Sequence, residues 1–270
     1  MMTFRRSLML SATLTAAMAA SNAWAGERAG ELTTAQSQWG AFSLSSGVTY
    51  STGDYGESQR TNILYVPLTG KLELQDWVFK LTVPYISVTG PGNVVQGVGV
   101  VGAAGGRRTT ESGLGDVVAA VTKTVYEDSK RGTAIDVTGK IKFGTADADR
   151  GLGTGENDYS LAVEPSQQVG PVTLFATLGY KVVGDPEGTD LNNVAFGSLG
   201  GSTHVTPATT AGLVLDFQER SSPTSSPPRE LTAFATSRLD DRWKGQAYLS
   251  RGLSDASPDW GGGLMASYAF

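Results

Sequence analysis

From residue 40 onward, apolar and polar side chains repeatedly alternate with a period of two, the pattern of a strand with one apolar and one polar face. Between 41 and 50 the even positions Phe42, Leu44, Val48 and Tyr50 are apolar, while the odd ones are small or polar. Leu64, Val66, Leu68, Leu72 and Leu74 continue the pattern. After a tight Gln75-Asp76 turn it resumes on the odd positions Trp77, Phe79, Leu81, Val83 and Tyr85. Residues 132–144 set Ile135, Val137, Ile141 and Phe143 against Asp136, Thr138, Lys140 and Lys142. These runs reach about 10 to 14 residues. Strands of soluble proteins usually have ~5 to 6, and a membrane-crossing strand needs ~9 to 11. The chain stops at Phe270, preceded at two-residue spacing by Tyr268, Ala266, Leu264, Gly262 and Trp260. The pattern predicts an all-β transmembrane antiparallel β-barrel.

Strands are expected near 40–51, 61–74, 77–89, 113–126, 132–144, 157–168, 171–183, 204–218, 230–239, 242–251 and 259–270. Eleven would leave the termini on opposite sides, and bacterial single-chain barrels have an even number. The remaining stretch 189–201, with Val194, Phe196 and Leu199, supplies a twelfth, closed by a Gly200-Gly201-Ser202 turn. The short connections at 75–76, 127–131, 169–171, 200–202 and 240–241 then fall on the periplasmic side. The longer segments 53–59, 90–112, 145–156, 184–189, 219–229 and 252–258 become extracellular loops. Trp77 and Trp243 stand where strands leave the periplasm and Tyr159 and Tyr180 near the outer ends, the places of two aromatic girdles.

Composition narrows the chemistry. The 270 residues include 35 glycines, no cysteine and one histidine, His204. Disulfides, thiolate metal sites and Cys nucleophiles are excluded, and any His-dependent catalysis must run through His204. Residues 1–25 read as a secretory signal peptide, with Arg5-Arg6, an apolar run from Leu8 to Ala20, and Ala23-Trp24-Ala25 before the cut. Residues 26–38 would be a short periplasmic segment and 39–270 the barrel. Cleavage leaves 19 basic and 26 acidic side chains, net −7, a poor balance for nucleic-acid binding.

Gly113-Leu114-Gly115-Asp116, Lys142-Phe143-Gly144-Thr145, and Gly151-Leu152-Gly153-Thr154-Gly155 followed by Asp158-Tyr159 resemble the outer-membrane barrel family labelled "MetA-pathway of phenol degradation". The likeness runs from about Tyr50 to Phe270. It implies an outer-membrane channel for passive diffusion of small organic, aromatic molecules, and brings no defined catalytic or binding residues.

With the apolar parity facing lipid, the inward positions include Lys80, Asp116, Asp136, Lys140, Lys142, Glu164, Lys181, Asp216, Arg238 and Lys244, the candidate pore lining. Small residues share that face, among them Ser43, Ser45, Gly47, Thr173, Thr177, Gly179, Thr206, Ala208, Thr210 and Gly212, and suggest a narrow open lumen. Gly97-Val98-Gly99-Val100-Val101-Gly102 matches a dinucleotide fingerprint but opens no helix, so it reads as an outer loop and no cofactor is expected. Asp147, Asp149, Glu156 and Asp158 read as a solvated acidic loop whose spacing fails a calcium-binding loop. The expected partners are outer-membrane lipid, a small-molecule solute, and the barrel-assembly machinery through Phe270. A channel without enzymatic activity is expected; the alternatives are a lipid-acting barrel enzyme centred on His204, or a structural barrel whose loops bind partners.

Overall fold

A computed structural model of the chain describes residues 41–270 except 57, 92–93, 96–98, 101–107, 187–189 and 223–224. The signal-peptide and periplasmic-segment readings therefore lie outside the described residues, as does most of the 97–102 glycine motif. The strands are β1 (Ala41–Gly53), β2 (Thr61–Leu74), β3 (Trp77–Gly90), β4 (Val94–Val95), β5 (Gly99–Val100), β6 (Thr109–Leu114), β7 (Val118–Asp128), β8 (Thr133–Lys142), β9 (Asp158–Val169), β10 (Val172–Val182), β11 (Val194–Thr206), β12 (Thr209–Gln218), β13 (Arg229–Arg238), β14 (Trp243–Gly252) and β15 (Trp260–Ala269). β4 and β5 pair only with each other, inside the long connection after β3. All the others form one antiparallel sheet that closes on itself, with β1 bonded to both β2 and β15 from Ser43↔Ala269 to Thr52↔Trp260. β6 and β7 are two halves of one stave, both pairing with β3, so the barrel has twelve staves.

Closure pairs every stave of the belt on both sides, β6 above the break being bonded to β3 alone, and the alternation decides which face meets what. Leu44, Val48, Leu68, Leu81, Leu161 and Leu264 are exposed on the outer wall, while polar side chains such as Thr177, Ser198, Thr232 and Gln246 are buried inside. That is inside-out for water. An apolar belt running round a closed barrel is stable only against hydrocarbon.

The split between β6 and β7 was not expected within a strand over 113–126, and its cause lies on the neighbouring stave. Pro84 of β3 has no N–H to donate, so the ladder is interrupted there. Three residues, 115–117, then stand opposite Val83 and Pro84, and Gly115 N–H still reaches Pro84 O at 2.8 Å. This bulge turns Asp116 into the lumen.

A second correction concerns residues 189–206. The strand is β11, Val194–Thr206, its turn is Pro207-Ala208, and Gly200 to Ser202 lie inside it, paired with Phe175, Leu174 and Thr173 of β10. Ala208 is thus a turn residue rather than a lining one. All short connections remain at one end, including a two-residue turn with Gln75 at φ 52°, and all long ones at the other. Bacterial barrels keep short turns in the periplasm and longer loops outside.

At the short-turn end, Phe270 N–H donates to Phe42 O at 3.0 Å, and the Phe42 and Phe270 ring centroids are 5.4 Å apart. Asp240 accepts from the backbone N–H groups of Arg242 (2.8 Å) and Trp243 (2.7 Å), which hold its carboxyl below the usual carboxylate range. A lowered folded-state pKa contributes stability at neutral pH that is lost as the pH falls through that value. Thermal unfolding in detergent at about pH 7 and about pH 3 should show a smaller acid shift for Asp240→Asn than for wild type. An equal shift in both proteins would remove this turn from the acid response.

Candidate functional site

The inner wall carries an aromatic path that the sequence reading missed. Phe175 (β10), Val214 (β12) and Phe234 (β13) form a buried cluster, with Tyr248 (β14) packed against it. Each ring needs a gap on the next stave. A Cβ at Gly200 would fall on the Phe175 ring, and one at Gly179 on the Phe196 ring; at Gly212 it would sit 2.6 Å from Phe234, and at Gly263 2.6 Å from Tyr248. These inward glycines are therefore slots filled by neighbouring rings, and the volume expected from small linings is largely occupied. Parity held the clue: Phe175, Phe196 and Phe234 fall on the polar side of their strands.

Above this path, towards the long loops, a charge cage closes the wall. Lys142, at the end of β8, lies 3.2 Å from Asp116 Oδ2 and 3.3 Å from Asp158 Oδ2, and its side chain is 1% exposed. Its Nζ donates to Thr154 Oγ1 at 2.9 Å. Asp116 Oδ1 accepts the Ala146 N–H (2.8 Å), and Asp158 Oδ1 accepts the Gly184 N–H (3.0 Å). Two carboxylates share one ammonium and take backbone donors as well, so the buried charges balance locally to within one negative charge. This cage ties the β8–β9 connection to the wall from below.

The same loop is fixed from its other side by apolar contact. Leu152, 1% exposed, and Ala146 pack on the inward side chains Ile63 and Tyr65 of β2 and Ile86 and Val88 of β3, with Leu191 joining. Gly153 lies against Asp116, where a Cβ would come within 2.8 Å of Oδ1. The loop therefore turns Leu152 and Ala146 into the mouth of the barrel, while its acidic side chains Asp147, Asp149 and Glu156 stay exposed as expected and only Asp158 is buried. The short motifs behind the family resemblance, at 113–116, 142–145 and 151–159, are distant in sequence and meet here: Val117 N–H even donates to Thr145 Oγ1 at 2.9 Å.

All ten candidate lining residues lie at inward positions, in distinct surroundings. Asp116 and Lys142 form the cage. Asp136 accepts from Thr124 Oγ1 at 2.5 Å and Glu164 from Thr138 Oγ1 at 2.5 Å, with Lys140 on the same patch of wall. Lys181 and Asp216 are buried, and Lys80 is half-buried. Arg238 and Lys244 face each other across β13 and β14 at the short-turn rim. Asp158 and Thr154 complete the cage without having been singled out as lining.

His204 ends the descending strand β11 instead of beginning an ascending one, and its Nδ1 is 3.1 Å from Thr210 Oγ1 at the short-turn rim. Among the described residues no group of three or more His, Cys, Asp or Glu side chains converges to hold a metal. Asp147 caps its own loop by accepting the Arg150 N–H at 3.2 Å.

The fold and inner wall define an outer-membrane β-barrel of twelve staves. It is similar in structure to an outer-membrane channel from Pseudomonas putida F1, at 14% identity over 88% of this chain and 100% of that one, with a TM-score of 0.64. It is also similar to the translocator domain of the autotransporter NalP from Neisseria meningitidis (13% identity, 96% and 98% covered, TM-score 0.50). The beta domain of the Bordetella autotransporter BrkA is comparable (13%, 86% and 99%, 0.50). At these identities the likeness concerns the fold. No family profile and no curated protein sequence matches the chain.

Proposed function

We propose that the barrel is a passive channel for small solutes in the bacterial outer membrane, and that its cargo is small organic and aromatic. The observation that carries this is the inner aromatic path of Phe175, Phe234 and Tyr248, an apolar surface turned away from lipid and towards the lumen. Rings set on the inner wall rather than on the outer belt give the lumen an apolar side along which such a solute can pass. The resemblance to the "MetA-pathway of phenol degradation" family supports the aromatic part of this reading, and the P. putida channel shares the architecture. The barrel's reading as a channel without catalysis is supported by the place of His204, at the short-turn rim and bonded to Thr210. Phe270 is its recognition residue for the assembly machinery, presented at the rim beside Phe42 and Tyr268.

Liposomes containing the purified protein should take up benzyl alcohol faster than empty ones, and planar bilayers should show discrete conductance steps. Phe234→Ala combined with Tyr248→Ala should lower benzyl alcohol flux relative to glycerol flux. A barrel silent to ions and to both solutes would dispose of the reading.

A further inference from the structure

The outer wall is not evenly filled. Across β1, β15, β14 and β13 its lipid-facing side holds a hollow of about 640 Å³, lined by apolar residues. The register accounts for its shape. Leu249 of β14 stands between Ala233 of β13 and Gly262 of β15, and Gly262 in turn stands beside Tyr50 of β1. One outward step further from the long loops, Ala247 faces Leu264. The small residues Ala233, Ala247 and Gly262 are thus sunk among Leu249, Leu264 and Tyr50. An empty hollow at this depth forfeits dispersion contacts, and only hydrocarbon can restore them there.

The end of the hollow nearest the long loops carries charge. Arg251 lies one outward step above Leu249, about 7 Å along β14, and is exposed on the same face. Its guanidinium stands over the Trp260 ring at 4.7 Å, and its Nη1 donates to Asp259 O at 2.9 Å. These contacts fix the group and use one of its five N–H donors. The Asp259 carboxylate is itself held by Arg60 at 3.0 Å. Arg229 begins β13 on the same outward face, two positions before Leu231, which is the register partner of Arg251. Among the described residues, no carboxylate stands within ion-pair distance of Arg229 or Arg251.

Two guanidinium groups at the outer end of an apolar hollow match an amphiphile with an anionic head, and the guanidinium fork suits phosphate in particular. A second barrel is a poorer match, because a two-fold contact would bring the same arginines of both copies together. We propose that this face is the seat of one phosphorylated lipid of the outer leaflet, with its phosphate on Arg251 and Arg229 and an acyl chain in the hollow. The seat faces away from the lumen, so it stands or falls independently of solute flux.

Native mass spectrometry of the purified mature barrel in detergent, titrated with lipid A bearing its phosphates, reads the seat directly. Wild type should retain one lipid A and bind phosphatidylcholine far more weakly. Arg251→Gln combined with Arg229→Gln should weaken lipid A binding about tenfold, or roughly 1.4 kcal/mol. Ala233→Phe combined with Ala247→Phe fills the hollow and should weaken binding with both arginines in place. All four positions face outward, and heat-modifiable gel migration checks that each variant is folded; if one pair does not fold, the other decides the matter. No retained lipid A, equal retention of phosphatidylcholine, or unchanged binding in either folded double variant would overturn the seat. Release of the lipid by excess inorganic phosphate alone, or a wild-type dimer that the filled variant splits, would overturn it too.

Discussion

Lys142→Met is expected to destabilise the folded barrel by about 3 to 5 kcal/mol, the range for removing one partner of a buried ion pair. The cause is what remains rather than what is lost. Asp116 and Asp158 have side chains 0% and 6% exposed, and without Lys142 neither keeps a cationic partner within ion-pair distance among the described residues. The backbone donors from Ala146 and Gly184 offset only part of that desolvation. Urea titration of the protein in detergent or lipid, followed by tryptophan fluorescence, reads the effect directly. Adding Asp116→Asn and Asp158→Asn to Lys142→Met should recover most of the loss, since amides can be buried without a counter-ion. A single variant within about 1 kcal/mol of wild type would mean that water reaches the cage and screens it.

The second large effect is expected at the mouth. Leu152→Asp places a carboxylate among Ile63, Tyr65, Ile86 and Val88, where nothing can solvate it. An unpaired charge there costs several kcal/mol, and about 2.8 kcal/mol already shifts a two-state equilibrium a hundredfold. The loop should leave the wall while the barrel stays closed, because its ladder involves none of residues 146–153. Single-channel recordings should then show a larger unitary conductance than wild type, and a protease should cut within 146–153 where it spares wild type. An unchanged conductance would mean that the loop does not lie across the path of permeating ions.

Both predictions use contacts that sequence reading reached only in part. Period-two alternation identified the strands because facing is a local property: successive side chains point to opposite sides whatever the partner stave. The inward parity of Lys80, Asp136, Lys140, Lys142, Glu164, Lys181, Asp216 and Lys244 followed from it. Residues 189–206 were misread because Gly200-Gly201-Ser202 has the composition of a turn. Those glycines lie within β11, and Gly200 is required by a ring on another strand, Phe175, which no local signal reveals. The break at 115–117 likewise answers to Pro84, some thirty positions earlier on the paired strand.

The sequence by itself determined that this chain is a barrel, how many staves it has, and which side chains turn inward, since strand period, length and the even-number rule act stave by stave. Only the tertiary structure decided how the interior is furnished. The aromatic path, the Asp116–Lys142–Asp158 cage and the inward seat of Leu152 each join residues from several staves. Their positions depend on closure and register, which bring together side chains that the sequence keeps tens of residues apart.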